Sequence, residues 1–225
     1  TDSISDWFFT TSISASENLY NLGVPKNNIF FVGNTMIDTL LLKEPKFVKP
    51  SFWDNENLQL SNYFVLTLHR PSNVDSASLF KEMIFTLCDL ARGLPIVYPA
   101  HPRTRKVIDM INEIPNNLLI TDPLSYLEFN YLVKHAKAVI TDSGGITEET
   151  TVMKVPCITL RDNTERPETV EIGTNVLAGT NPKNLNKFFD KLFEGNWKKG
   201  KIPDKWDGKT GKRIVKAVSK ILQNI

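Results

Sequence analysis

Ala138-Val139-Ile140 runs directly into Thr141-Asp142-Ser143-Gly144-Gly145-Ile146-Thr147-Glu148-Glu149. An apolar run, a small flexible turn and a helix-like segment give strand, turn and helix in that order. The first amides of a helix have no intrahelical acceptor, and the helix dipole adds partial positive charge there. Gly144 and Gly145 have no Cβ, so a phosphate can approach the backbone closely. Glu149 falls about one turn into the helix, where a carboxylate can accept hydrogen bonds from ribose hydroxyls. The stretch reads as a nucleotide diphosphate seat, or equally as a plain Ser-Gly-Gly turn ahead of a helix.

Working outward, strand-like and helix-like segments alternate along nearly the whole chain. Trp7 to Thr11 reads as a strand. Ser14-Ala15-Ser16-Glu17 has capping-box spacing, and the helix it opens stops at Gly23. Ile29 to Val32 is a second strand ending at Gly33-Asn34, followed by a helix over roughly Met36 to Leu42. Residues 43–62, with Pro45, Pro50, Asn55, Asn57, Ser61 and Asn62, break periodicity and read as a linker or surface excursion. Five strand candidates follow: Tyr63 to Leu68, Pro95 to Pro99, Leu118 to Ile120, Ala136 to Ile140, and Pro156 to Leu160. Helices are expected between them, around 77–92, 103–113, 125–135 and 146–153, and again at 182–194 and 209–223. Such alternation predicts an α/β fold with a doubly wound, mostly parallel sheet.

An open parallel sheet binds ligands beyond the carboxyl ends of its strands. There the chain delivers His69-Arg70, His101-Pro102-Arg103, Asp142-Ser143-Gly144-Gly145 and Arg161-Asp162. Two histidines, three arginines and a phosphate-sized turn on one rim are much harder to obtain by accident than any one motif.

Bulk properties narrow the class. The chain has 225 residues, 41% of them hydrophobic and 23% charged, as in an ordinary globular protein. Its net charge of +2 gives no argument for nucleic acid. The lysine-rich tail, including Lys198, Lys199, Lys201, Lys205, Lys209 and Lys212, has little aromatic interleaving and reads as a solvated face. Cys88 and Cys157 sit in apolar stretches and read as buried thiols, which fits a reducing cytoplasm. No apolar run reaches the roughly 18 residues of a membrane span, and no signal peptide is visible. The chain starts at Thr1 and runs quickly into Trp7-Phe8-Phe9, which reads as a beginning in mid-fold.

With the rim assembled, the chain resembles the non-hydrolysing UDP-N-acetylglucosamine 2-epimerases, particularly archaeal-like members. The strings that carry the resemblance are Gly33-Asn34-Thr35-Met36-Ile37-Asp38, Thr67-Leu68-His69-Arg70-Pro71-Ser72-Asn73 and His101-Pro102-Arg103-Thr104. Two more are Asp142 to Glu149 and Arg161-Asp162-Asn163-Thr164-Glu165-Arg166-Pro167-Glu168. Ser72 departs from the family, which usually has Glu there. The resemblance implies a glycosyltransferase-B-like fold of which this is the C-terminal half. Residues 1–42 would end an N-terminal Rossmann-like domain, 43–62 link the two, 63–208 form the UDP-binding domain, and 209–225 pack back toward the first. The family's proton-handling carboxylates belong to an opening portion absent here.

The implied reaction interconverts UDP-N-acetylglucosamine and UDP-N-acetylmannosamine by eliminating and re-adding UDP. Ser143, Gly144 and Gly145 would hold the diphosphate, Glu149 the ribose, and the backbone near Phe129 the uracil. His69 would stand beside the departing phosphate, with Arg70 and Arg161 offsetting its charge. Arg161 is equally readable as an ion-pair partner of Asp162 or Glu165, and His101 as a turn residue. Arg166 is expected to pair with Glu165 or Glu168, Glu148 to be solvated, and His135 to close a helix. No cofactor is implied: the chemistry needs no nicotinamide, and no metal-ligand cluster is visible. The partners implied are UDP-N-acetylglucosamine, UDP and a second copy of the chain, with neither nucleic acid nor membrane. The alternatives are a hydrolysing 2-epimerase, a glycosyltransferase and a non-enzymatic nucleotide-sugar module; the string from Arg161 to Glu168 favours an epimerase over a transferase.

Overall fold

The computed structural model describes residues 4–100, 102–109, 111 and 113–223. The chain forms two compact units, one from the segments up to Pro45 and from Ile202 onward, the other from Lys46–Lys201.

In the discontinuous unit, β1 (Phe8–Thr10), α1 (Ile13–Asn21), β2 (Ile29–Phe31) and α2 (Thr35–Lys43) follow in order. β1 and β2 pair in parallel, with Phe9 opposite Phe30. The α1 cap is Ser12, whose Oγ accepts from Ala15 N at 3.2 Å, and not the expected Ser14. Ser12 has extended backbone and is the last such residue before the helix, so it holds the cap position whatever the downstream pattern suggests.

The second unit contains β3 (Phe64–Thr67), α3 (Pro71–Val74), α4 (Ala77–Leu90), β4 (Ile96–Pro99), α5 (Pro102–Ile108) and β5 (Leu118–Thr121). It continues with α6 (Tyr126–Lys134), β6 (Ala138–Thr141), α7 (Gly144–Met153), β7 (Cys157–Thr159), α8 (Pro167–Glu171), β8 (Asn175–Leu177) and α9 (Asn186–Phe193). Helix α5 ends before the expected residue 113, and α3, α8 and β8 are elements the pattern reading did not contain. Residues 47–62 hold no helix or strand, yet they are anchored: Trp53 and Leu58 are buried, with Trp53 edge-on to Tyr63 and Tyr131.

The six strands are all parallel, in the order β5-β4-β3-β6-β7-β8. Winding runs outward one way through β3, β4 and β5 and the other way through β6, β7 and β8. This is the Rossmann order, whose switch point lies between β3 and β6. Strand alternation divides the core between the two faces. Phe64, Leu66, Tyr98 and Ile140 face α4 and α9, while Tyr63, Val65, Val97 and Val139 meet Leu132 and Val133 of α6. Helix α4 contributes Phe80, Met83, Ile84, Leu87 and Cys88, the i, i+3, i+4, i+7, i+8 stripe of a helix on a sheet. A true capping box opens α6, with Ser125 and Glu128 bonding each other's backbone.

The last helix, α10 (Thr210–Gln223), returns to the first unit. Asp38 of α2 accepts from Thr210 N at 3.1 Å and Gly211 N at 2.8 Å, capping α10 across the chain. Trp206 Nε1 donates to Thr11 O, and Arg213 Nη1 to Val32 O. Gly33, at φ +100°, passes so close to this return segment that a Cβ would lie 2.2 Å from Lys205 O, a closeness only glycine allows.

Candidate active site at the sheet switch point

The site grows from the ends of β3 and β6. Thr67 and Thr141 stand opposite each other, and their hydroxyls bond at 2.6 Å. Thr141 Oγ1 also accepts from Ser143 N at 3.0 Å, which turns the chain out of the sheet and into α7. Ser143 is the N-cap of α7 but makes no side-chain cap bond. The ten-residue helix therefore starts with its first-turn amides uncapped by a side chain, at partly exposed glycines, in the switch-point crevice.

One residue before that turn is Asp142, a carboxylate with no solvent exposure. Its Oδ2 accepts from His69 N at 3.0 Å, Arg70 N at 2.9 Å and Asn73 Nδ2 at 3.0 Å. Its Oδ1 lies 2.7 Å from His69 Nδ1. The 69–73 segment is thus folded around Asp142, and the His69 side chain, 56% exposed, is left on the rim. Arg70 Nε donates to Asp142 O at 3.0 Å, which brings its guanidinium over the same turn.

On the other side, Arg161 is buried and grips Glu165 with both terminal nitrogens, at 2.7 and 2.6 Å, while Asn163 Oδ1 accepts from Nη2 at 3.1 Å. Arg70 Nη2 lies 3.8 Å from the same carboxylate. The Arg161 hydrogen bonds hold the Glu165 carboxyl well below the usual range, at about 2. A methyl group placed on Gly144 would meet Glu165 Oε2 at 3.9 Å, so this carboxylate lies beside the start of α7.

Arg166 corrects an expectation. Its Nε forms the close pair with Glu148 Oε1, at 2.5 Å. At Glu168 burial raises the carboxyl, a backbone bond lowers it, and the Arg166 charge adds only a smaller pull downward. Glu148 in turn is 1% exposed and not solvated, because α7 is covered on the side that a surface helix would give to water. The pair ties the 161–168 loop to α7. Glu149, 5% exposed, receives the Tyr126 hydroxyl on Oε1 at 3.0 Å. Burial raises the Glu149 carboxyl above its ordinary value, the Tyr126 bond pulls it down, and the Glu148 charge adds to the rise.

The structure thus gathers His69, Arg70, Ser143, Gly144, Gly145 and Arg161 about one turn. Glu149 stands one helical turn away beside Tyr126. Phe129 is on α6, the helix that carries Tyr126; its amide is bonded to Ser125 O and its ring packs on the face of the core that contains Trp53. His101 and the side chain of Arg103 lie outside the described residues. His135 closes α6 as expected. Asp142 and Asn73 stood in the quoted strings without a role, and Tyr126 stood in none of them. The signal for Asp142 was its place as the first residue beyond a buried strand, ahead of two glycines.

A Rossmann-order sheet with an open helix start and cationic side chains at its switch point defines an α/β protein of the glycosyltransferase-B-like type. The comparisons narrow this. Residues 1–219 match the UDP-N-acetylglucosamine 2-epimerase family, and the chain belongs to it. It is 38% identical to the UDP-N-acetylglucosamine 2-epimerase of Methanocaldococcus jannaschii and 37% identical to that of Methanococcus maripaludis, covering 97% of this chain and 62% of each relative. The crystal structure of the former in complex with UDP-GlcNAc and UDP superposes with a TM-score of 0.82 over 97% of this chain and 62% of that one. The Neisseria meningitidis UDP-GlcNAc 2-epimerase bound to UDP-GlcNAc, 29% identical, gives 0.84 over 98% and 63%. The chain therefore spans less than two thirds of the length of the relatives it matches.

Proposed function

We propose that this chain supplies the UDP-binding half of a UDP-N-acetylglucosamine 2-epimerase, an isomerase that interconverts UDP-GlcNAc and UDP-ManNAc. The observation that carries the reading is the uncapped start of α7 at the switch point, with His69, Arg70 and Arg161 around it. Family membership and the relatives solved with UDP-GlcNAc and UDP support it.

In this reading the amides of Ser143–Gly145 and the Ser143 hydroxyl hold the diphosphate, and Arg70 and Arg161 balance its charge. Glu149, steadied by Tyr126, accepts from the ribose hydroxyls, while the uracil rests against the α6 segment near Phe129. The reaction breaks the C1–O bond to UDP while a base removes the C2 proton, giving a bound glycal. A proton then returns to the opposite face of C2 and UDP adds back to C1. The amides and guanidinium groups are fixed before reaction, so they stabilise the departing diphosphate without reorganising. His69 stands beside that phosphate. The first unit, with its two-stranded parallel sheet, is the closing part of a second Rossmann-like domain. The same reading includes a homodimer in the cytoplasm.

Calorimetric titration with UDP tests the half-site. Saturable binding is expected, abolished by Gly145→Asp, which puts a carboxylate at the diphosphate seat, and weakened about tenfold or more by Glu149→Ala. Equal binding by the three proteins would sink the assignment. Conversion of UDP-GlcNAc to UDP-ManNAc by the full-length gene product tests the reaction; free UDP and free sugar as the main products would mean hydrolysis instead.

A further inference from the structure

Asp142 is the most completely enclosed charged group of the site, and nothing above gives it a part in the chemistry. Its hydrogen-bond donors are two backbone amides and the Asn73 amide, and the His69 ring sets Nδ1 2.7 Å from Oδ1. A set made only of donors fits a carboxylate and not a carboxylic acid. Two carboxylate oxygens offer about four lone-pair sites, and these contacts fill them. Asp142 therefore has no acceptor left for a ligand, and with no solvent exposure it has no path to one. Whatever it does for a bound molecule it does through the groups it holds.

Of those groups, the His69 ring is the one with an open edge. Nδ1 sits 2.7 Å from Asp142 Oδ1, while the side chain is 56% exposed. We propose that Asp142 is the positioning residue of His69, holding the Nδ1–H so that Nε2 alone faces the departing phosphate. This deepens the epimerase reading and rests on it. The two ring nitrogens of histidine are chemically distinct, and the hydrogen bond made by one decides what the other presents. Here the deciding bond comes from a buried anion that also fixes the backbone on which the ring is mounted. Ring orientation and tautomer are thus set by one residue. When the ring is cationic, Nε2–H donates to the phosphate oxygen and Asp142 is its counter-ion; when it is neutral, Nε2 carries the lone pair.

The substitution Asp142→Asn makes the proposal specific. An asparagine has one acceptor oxygen and one NH2 group. Oδ2 faces three donors, so the remaining oxygen is best placed there and the NH2 group turns toward the ring. His69 Nδ1 must then become an acceptor, and the neutral ring moves its proton to Nε2. The volume is nearly unchanged, and the 69–73 segment keeps most of its bonds.

The test uses the full-length gene product. Nitrogen-15 NMR of the His69 ring in its neutral form should show the Nδ1–H tautomer in the wild type and the Nε2–H tautomer in Asp142→Asn. Epimerisation by Asp142→Asn should lose about 10²- to 10³-fold in kcat, with KM within about threefold. In a His69→Ala background the same substitution should cost less than about threefold more, because a group that acts through His69 has nothing left to act on. A wild-type Nε2–H tautomer would overturn the proposal even if the variant failed to fold. So would losses that multiply in the double variant, which would mark Asp142 as a scaffold residue only. A gene product that binds UDP and shows the expected tautomers, yet does not epimerise, would remove the epimerase reading while leaving the Asp142–His69 geometry in place.

Discussion

Two carboxylates flank the start of α7, and they are held in opposite ways. Asp142 is sealed inside, and its partners are backbone amides, a side-chain amide and a ring. Glu165 is more than half exposed and is held by the guanidinium groups of two arginine side chains. The first arrangement can be lost only by breaking the fold locally. The second is an ion pair whose anion a phosphate can replace, since both arginines and the nearby helix start favour any anion of the right size. The site is rigid where the His69 ring is mounted and looser at the Arg161–Glu165 ion pair.

Substitutions that break this contrast should differ in size. Asp142→Ala leaves the donors of His69, Arg70 and Asn73 facing a cavity. It should destabilise the chain by about 3–5 kcal/mol, as for one partner removed from a buried charged network, measured by urea denaturation. A loss under about 1 kcal/mol would mean the carboxylate is no more built in than Glu165.

Glu149 sharpens the comparison from a third position. Burial raises its folded-state pKa, so its contribution to stability is present at low pH and declines as pH rises through that raised value. Glu149→Gln should therefore raise Tm by a few degrees near neutrality while weakening UDP binding, an exchange of stability for function. An unchanged or lower Tm at pH 7 to 8 would argue against it.

The smallest effect belongs to Glu165→Gln. Stability should change by no more than about 0.5–1 kcal/mol, and UDP affinity should hold or improve, because the diphosphate no longer competes with a resident carboxylate for Arg161 and Arg70. The Glu165 carboxyl is depressed, so its tie is fully present above the usual carboxylate range and is lost as pH falls toward about 2. Wild type and variant should converge over that interval. A tenfold loss of UDP affinity in the variant would show that the carboxylate serves the ligand directly.

Much of this was readable from residue order. Continuous apolar runs such as Phe64-Val65-Leu66 mark parallel strands buried on both faces, and the polar residues after them mark the rim. The parts that escaped share a cause: they depend on neighbours distant in sequence. Strand β8 is three residues led by a buried Asn175, and it is a strand because β7 lies beside it. Glu148 reads as a solvent-facing charge until Arg166, on another loop, is brought against it. In the same way, the donors around Asp142 come from residues 69–73, and no local pattern announces that meeting.

The discontinuous unit has a consequence for synthesis. Asp38, Thr11 and Val32 find their partners in Thr210, Gly211, Trp206 and Arg213, with all of residues 46–201 translated in between. The contiguous sheet of Lys46–Lys201 can close while the ribosome is still at work, but the caps and bonds supplied by the return segment cannot. During that interval α2, Gly33 and the two-stranded sheet wait without their cover. A nascent chain stalled before Trp206 should therefore present a finished sheet and an unfinished neighbour.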